Sequence, residues 1–257
     1  MFAIRANHMN LYRVSIMNQT IDLLCRHASV RHFLDVKLSD EQRHAIMESA
    51  RATSSSSFLQ MVSIIHVQDP KLRIELARLA GNQSYVATAA DFWVFCADFA
   101  RNLQIAPDAR LGFTEQLLMG SIDCGLMAQN ALTAAESLGL GGVFIGGIRN
   151  APDEVTALLK LPEHVIPLLG LCVGVPAQKA ECKPRLPLSI LVHEECYQAT
   201  LDQQQLAEYD DTMTYYYASR SSNNKQQSWS SQVRQILDKE SRPFMLPYLQ
   251  RQGFAHR

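Results

Sequence analysis

Gly139-Leu140-Gly141-Gly142-Val143-Phe144-Ile145-Gly146-Gly147 decides the fold when it is read together with Glu115 to Leu138 before it. The earlier residues are apolar or small nearly all round, with Leu117, Leu118, Ile122, Leu126, Met127, Ala131, Leu132 and Ala135 spread over every face. Such a pattern predicts a long helix buried at the centre of the fold or in an interface. Gly139 then falls where a helix C′ residue adopts positive φ, and Gly142 to Gly146 predicts a strand. A dinucleotide-binding fingerprint needs the opposite order, a strand before the glycines and a helix after them. The order found here excludes it. Gly139 to Gly142 read as an αβ turn, whereas Gly146-Gly147 at the far end of the strand would let a flat ligand approach backbone N–H groups closely.

Outward from this segment, Val62 to Val67, Phe92 to Ala97 and Leu168 to Val175 are further strand-like runs. The last is continuously apolar, as expected of a strand covered on both faces. Helical spacing spans Ile21 to Cys25 and the stretch after a Ser39/Gln42 capping box, up to Ala50. That second helix should stop in Ala52-Thr53-Ser54-Ser55-Ser56-Ser57, because successive serines compete for backbone hydrogen bonds. Strands separated by helices give an α+β class. Residues 1–16 show no periodicity and read as a dispensable leader, 17–199 as the core, and 200–257 as an extension without independent domain status. Glutamines, tyrosines and a polar loop, Ser221 to Ser228, precede a last helical stretch from Trp229 to Ile236.

The 257 residues suit one large or two small domains at about 150 residues each. Charged residues make up 19%, below the usual value of about 25%, which points to surface buried in an interface. Basic and acidic residues nearly balance, 24 against 25, for a net charge of −1. No global field draws the chain to nucleic acid or to an anionic membrane, so an anionic ligand must meet a local cluster. The longest uncharged apolar stretch, Val165 to Ala177, contains Pro167 and Pro176 and is shorter than the ~20 residues of a membrane helix. Arg5, His8 and Arg13 interrupt any secretory h-region, which places the chain in the cytoplasm. The six cysteines form no CxxC pair and no ligand spacing, so they read as reduced, mostly buried thiols with no metal.

Two local clusters could hold an anion. His27, Ser29 and Arg31 alternate, so in an extended segment their side chains face one way. Lys183-Pro184-Arg185 holds two cations on a stiffened backbone. Taken alone, each also suits a solvated surface cluster. Walker A and GxSxG motifs are missing, the serines lie at a helix end, and His44, His66, His164 and His193 have no metal spacing and read as structural.

His27-Ala28-Ser29-Val30-Arg31-His32-Phe33, Ala50 to Gln60, Gly139 to Asn150 and Lys183-Pro184-Arg185-Leu186-Pro187 together resemble the oxygen-insensitive NADPH nitroreductases of the flavin reductase P type, collinearly from about residue 20 to the C-terminus. The resemblance implies a three-layer fold with a mixed, mainly antiparallel sheet flanked by helices. It also implies an obligate homodimer with helix 115–138 at the interface, and tightly bound, non-covalent FMN. His27, Ser29, Arg31, Lys183 and Arg185 would then contact the FMN phosphate. Thr53, Ser54, Ser55, Ser56 and Ser57 would line the flavin ring, Gln83 would bond its pyrimidine edge, and Phe144, Ile145, Gly146 and Gly147 would flank it. Arg149, Arg220 and Lys225 would meet NADPH, while Phe58 and Arg242 would face the acceptor.

The activity implied is two-electron, ping-pong reduction of nitroaromatics, nitrofurans, quinones or metal oxyanions, with no dedicated acid–base residue. Alternatives are a flavin reductase that releases reduced FMN and a non-catalytic flavin-binding dimer. Two departures stand out. Ala28 takes the place of an arginine usual in the family, and Lys225-Gln226 stands where consecutive arginines are usual.

Overall fold

The computed structural model describes residues 18–220 and 225–257. In chain order its elements are α1 (Gln19–Cys25), α2 (Asp40–Arg51), a 3-10 turn (Ser56–Phe58), β1 (Val62–His66), α3 (Pro70–Leu79), α4 (Tyr85–Thr88), β2 (Asp91–Asp98), α5 (Ala100–Ile105), α6 (Thr114–Ser137), β3 (Gly141–Ile145), a second 3-10 turn (Gly146–Arg149), α7 (Pro152–Leu158), β4 (Val165–Gly174), α8 (Leu188–Leu191), α9 (Gln203–Ser219), α10 (Trp229–Leu237) and α11 (Met245–Arg251). The expected leader, 1–16, and residues 221–224 of the polar loop lie outside the described residues.

Local chemistry sets the helix ends. The Ser39 hydroxyl accepts from the Gln42 amide at 3.2 Å while the Gln42 side chain accepts from the Ser39 amide at 2.9 Å. Helix α6 closes on Gly139 at φ +77°, with the Gly139 amide donating to Glu136 and the Leu140 amide to Ala135. That pair of bonds is a Schellman cap, and it turns the chain directly into β3.

The sheet order is β1-β2-β4-β3, and every ladder among the described residues is antiparallel. Strands β2 and β4 are interior, which is why all eight residues of β2 are buried and β4 is continuously apolar. Trp93, Phe95 and Ala97 face a layer built from α2, α6 and α11, including Ile46, Cys124, Leu132 and Tyr248. Phe92, Val94 and Cys96 face the opposite layer of α3, α4 and α7, with Leu76, Val86 and Val155. The result is helices, sheet, helices. A register shift between Phe95 and Cys96 lets Ile166 and Leu171 face one layer although an odd number of positions separates them.

Helix α6 lies close on β2: a Cβ at Gly120 would sit 2.8 Å from Ala97 Cβ. Its buried face is Gly120, Asp123, Cys124, Ala128, Ala131, Leu132 and Ala135. On the other side Leu118, Ile122 and Leu126 are 52%, 57% and 45% exposed, so a single chain covers only half of this apolar helix.

The chain divides into two compact units, one comprising the residues up to Ala180 with Phe244–Arg257, the other Glu181–Pro243. The boundary thus falls at 181 and not at 200, and the last fourteen residues return to the first unit. Burial explains the return: Tyr248 is enclosed, with its hydroxyl 2.7 Å from Thr156 Oγ1, and Phe254 packs edge-on against Phe99. The second unit centres on Tyr209, Met213 and Tyr217, with Trp229 against Tyr209. The thiols split evenly. Cys96, Cys124 and Cys172 are buried, but Cys25, Cys182 and Cys196 are exposed, because Cys25 ends a short surface helix and the other two lie in loops of the second unit.

Candidate functional site

The glycines at the start of β3 carry the His27–Arg31 segment. The Val30 amide donates to the Gly142 carbonyl at 2.9 Å. A Cβ at Gly141 would lie 2.4 Å from Val30 Cγ2, and one at Gly142 would lie 2.7 Å from the Cys172 carbonyl. Only side-chain-free backbone allows that approach. The segment continues extended to Phe33, which bridges antiparallel to Pro176. Val30 is buried and Arg31 exposed, as alternation requires. His27 Nδ1 sits 2.6 Å from Glu136 Oε1 on the last turn of α6. A carboxylate only accepts, so Nδ1 carries the proton and Nε2 points away. The side chains of Ser29 and Arg31 have no partner among the described residues, so the guanidinium charge is presented without a carboxylate to neutralise it.

Two positions along the same strand, about 7 Å further, stands Phe144. It is 36% exposed between buried neighbours. Gly146 and Gly147 differ. A Cβ at Gly147 would lie 2.3 Å from the Ala80 carbonyl and 2.4 Å from Gln83 Nε2, so this glycine serves close packing within the protein. At Gly146 the nearest atom is Arg149 Nη2 at 3.7 Å, which leaves its side of the backbone open. The Gln83 amide donates to Ala80 O at 2.6 Å and accepts from the Tyr85 hydroxyl, which fixes its orientation. The Arg149 guanidinium donates to the Leu168 carbonyl.

Thr53 to Phe58 form the third group. Helix α2 stops at Arg51, and the serines lead into the 3-10 turn as their backbone competition predicts. Asp123, buried on α6, accepts from Ser55 Oγ at 2.7 Å, from Ser56 Oγ at 2.8 Å and from the Ser56 amide at 3.0 Å. Ser55 Oγ in turn accepts from the Gln60 amide at 2.8 Å. From α5, Asn102 donates to Leu59 O at 3.1 Å and Arg101 to Gln60 O and Val62 O. Between these holds Ser57 and Phe58 are left-handed, at φ 49° and 56°, and Phe58 is 79% exposed. The Thr53 hydroxyl oxygen is buried without a hydrogen-bond partner.

The remaining cations belong to the second unit. Lys183 Nζ stands 5.1 Å from the centre of the Tyr217 ring, the Tyr209 hydroxyl donates to Pro184 O at 3.1 Å, and Arg185 Nη1 donates to Lys183 O at 3.1 Å. Burial pushes the Tyr209 hydroxyl pKa up, which keeps it a donor. Arg220 lies over Tyr216 at 5.7 Å, and the Lys225 amide donates to Tyr217 O at 3.3 Å. Arg242 is left-handed at φ 57°. Sequence reasoning passed over Asp123, Glu136, Arg101 and Asn102. For the first two a signal existed, since they are the two charged residues in the otherwise uncharged run Gln116 to Leu138.

Among the described residues, an arginine with no carboxylate partner, a serine hydroxyl two residues from it, an aromatic left exposed on β3 and a buried threonine hydroxyl with no hydrogen-bond partner are groups of this α+β protein that suit a planar, phosphate-bearing ligand. That donor set fits FMN, whose phosphate suits an arginine and a hydroxyl and whose flat ring suits an exposed aromatic. The sequence matches the Nitroreductase family over residues 25–175 and the Nitroreductase family, C-terminal domain, over residues 183–257. It is 58% identical to an oxygen-insensitive NADPH nitroreductase of Salmonella typhimurium and 52% identical to an NADPH-flavin oxidoreductase of Vibrio harveyi, in both cases over 94% of this chain and 100% of the relative. The solved NADPH:FMN oxidoreductase from Vibrio harveyi complexed with NAD+ superimposes with a TM-score of 0.88 at 49% identity, covering 93% of this chain and 100% of that one. The chain belongs to the nitroreductase family. Among the described residues no helix is long and apolar enough to cross a membrane, and no cluster of side chains could hold a metal ion.

Proposed function

We propose that this chain is an NADPH-dependent flavin oxidoreductase that binds FMN and reduces nitroaromatics, nitrofurans and quinones, and metal oxyanions by the same route. The observation that carries the reading is the Arg31 guanidinium, without a partner among the described residues, on the segment that Val30 locks to the β3 glycines. When bound, FMN would supply two-electron carrier chemistry between NADPH and the acceptor. His27, Ser29 and Arg31 would hold its phosphate. Thr53, Ser54, Ser55, Ser56 and Ser57 would line the ring, the oriented Gln83 amide would meet its pyrimidine edge, and Phe144, Ile145 and Gly146 would flank it, whereas Gly147 is taken up by packing against Ala80. In the second unit Arg220 and Lys225 would draw the NADPH phosphates, and in the first Phe58 would face the acceptor.

No protein side chain has to donate or abstract a proton in the hydride step, so the residues bind, orient and exclude water. The exposed Leu118, Ile122 and Leu126 on α6 support a homodimer joined along that helix. Three exposed, unbridged cysteines suit a reducing compartment, in keeping with the cytoplasm. Initial rates with NADPH and a nitrofuran should give parallel double-reciprocal lines; intersecting lines contradict the alternating cycle. Arg31→Ala should raise the FMN dissociation constant by about 10- to 100-fold, the range for losing a charge-assisted hydrogen bond, and an unchanged constant contradicts the assigned phosphate site.

A further inference from the structure

We infer that Asp123 is the positioning residue that sets the shape of the serine loop, acting on the flavin from helix α6 through Ser55 and Ser56. The inference rests on the FMN reading above and extends it to a residue that touches no ligand. Asp123 is 2% exposed in the middle of an apolar helix, where a carboxylate is costly unless its oxygens are fully hydrogen-bonded. It forms no ion pair among the described residues. Its donors come from the loop alone: Ser55 Oγ to Oδ2 at 2.7 Å, Ser56 Oγ to Oδ1 at 2.8 Å, and the Ser56 amide shared between Oδ1 at 3.0 Å and Oδ2 at 3.1 Å.

That bond set reaches across the loop. Ser55 Oγ donates to Asp123 and accepts from the Gln60 amide, so both ends of the segment 55–60 refer to the same carboxylate. Asn102 and Arg101 fix the downstream side at Leu59, Gln60 and Val62. The two residues between are left-handed at φ 49° (Ser57) and 56° (Phe58), a conformation that L-residues keep only where the surroundings over-determine it. Packing does not hold the tip, because Phe58 is largely exposed. Hydrogen bonds from α6 and α5 do, together with the turn's own bonds from the Phe58 amide to Ser55 O at 3.0 Å and from the Leu59 amide to Ser56 O at 3.1 Å. Without Asp123 the Ser56 amide and two hydroxyls lose their acceptor, the turn's two backbone bonds are left to hold Ser57 and Phe58 without the anchor on α6, and the loop face presented to the ring and the acceptor changes. Asp123 differs in this from a helix-packing residue, whose loss lowers stability and leaves a bound flavin's environment alone.

The test uses the full chain stripped of flavin and reconstituted with FMN, measuring the FMN dissociation constant, the visible circular dichroism of bound flavin and the thermal melting of the protein. Asp123→Asn keeps the shape and one acceptor oxygen for the Ser56 donors. It should melt within a few degrees of wild type, bind FMN about ten-fold more weakly and give an altered visible dichroism. Ser55→Ala should produce a similar change, and the double variant should lose no more than the larger single loss, as residues acting through one bond set do. An FMN constant within two-fold of wild type with unchanged dichroism, or strictly additive losses, overturns the inference. Should Asp123→Asn fail to fold, Asp123→Glu, which keeps the charge and displaces the acceptor oxygens by one methylene, takes its place in the same cycle: a ten-fold loss with altered dichroism that is not additive with Ser55→Ala supports the inference, and unchanged values or additive losses overturn it. A wild-type chain that binds no FMN overturns the flavin reading and this inference with it, whereas wild-type binding matched by the variants overturns this inference alone.

Discussion

The first unit encloses its sheet between two helical layers, with Trp93, Phe92, Phe95, Ile46, Leu132 and Leu171 almost wholly out of solvent. The second unit has a buried cluster of Tyr209, Met213 and Tyr217, and leaves Leu188, Val192, Tyr197, Tyr215 and Leu237 exposed. The difference matters for function. Residues assigned to the flavin ring stand on the enclosed sheet or are hydrogen-bonded to its helices, where preorganisation survives. Arg220, Lys225 and Arg242, assigned to NADPH and acceptor, stand on the lightly packed unit, whose contacts are chiefly aromatic rings and cations. Preorganised groups suit a carrier that must be held in one geometry, whereas loosely packed cations can adapt to more than one ligand.

The contrast can be broken most severely at the sheet. Leu132→Ala removes a fully buried side chain wedged against Gly142 and should cost about 2–5 kcal/mol in urea unfolding; a cost under 1 kcal/mol would mean that the layer is not tightly packed. The two tryptophans then report one unit each, Trp93 the first and Trp229 the second. In the Trp93→Phe variant, Trp229 fluorescence should change at lower urea than Trp93 fluorescence does in the Trp229→Phe variant, and coincident transitions would erase the distinction.

Thiol chemistry gives a third comparison. Burial pushes the Cys96 and Cys172 thiols up to about 12 and raises Cys124 as well, so native protein should modify only at Cys25, Cys182 and Cys196. Because the folded thiols ionise above the ordinary value of about 9, stability should hold below that pH and fall as pH rises from about 9 towards 12, the unfolded chain releasing its protons first. Labelling of all six native thiols, or alkaline melting temperatures that stay flat, would contradict the burial. The smallest expected effect is Lys225→Arg, which should raise the NADPH over NADH ratio of kcat/KM several-fold by allowing bidentate phosphate contact. An unchanged ratio removes Lys225 from the site.

Much of this was legible in the sequence, for reasons particular to each element. Gly139 announced its Schellman cap and the order helix, glycines, strand, because positive φ is a local demand. β4 announced its central place because cover on both faces removes polar alternation. The split of the thiols and the return of Tyr248 to the first unit were not legible, since burial far along the chain depends on partners such as Thr156 that local pattern does not name. Gly147 read as an opening for a ligand, yet the Ala80 carbonyl already occupies that side, a contact between positions 67 residues apart. The Ser55–Asp123 bond joins positions 68 apart and was equally hidden, although a carboxylate in the middle of an otherwise almost uncharged helical run was visible as an anomaly.

The most direct test of the central claim is the visible absorption spectrum of the chain after reconstitution with FMN and removal of excess, followed by NADPH in the same cuvette without oxygen. The account predicts the bands of oxidised flavin, retained on the protein and bleached by one equivalent of NADPH. A colourless protein, or a yellow one whose bands NADPH leaves unchanged, would contradict it.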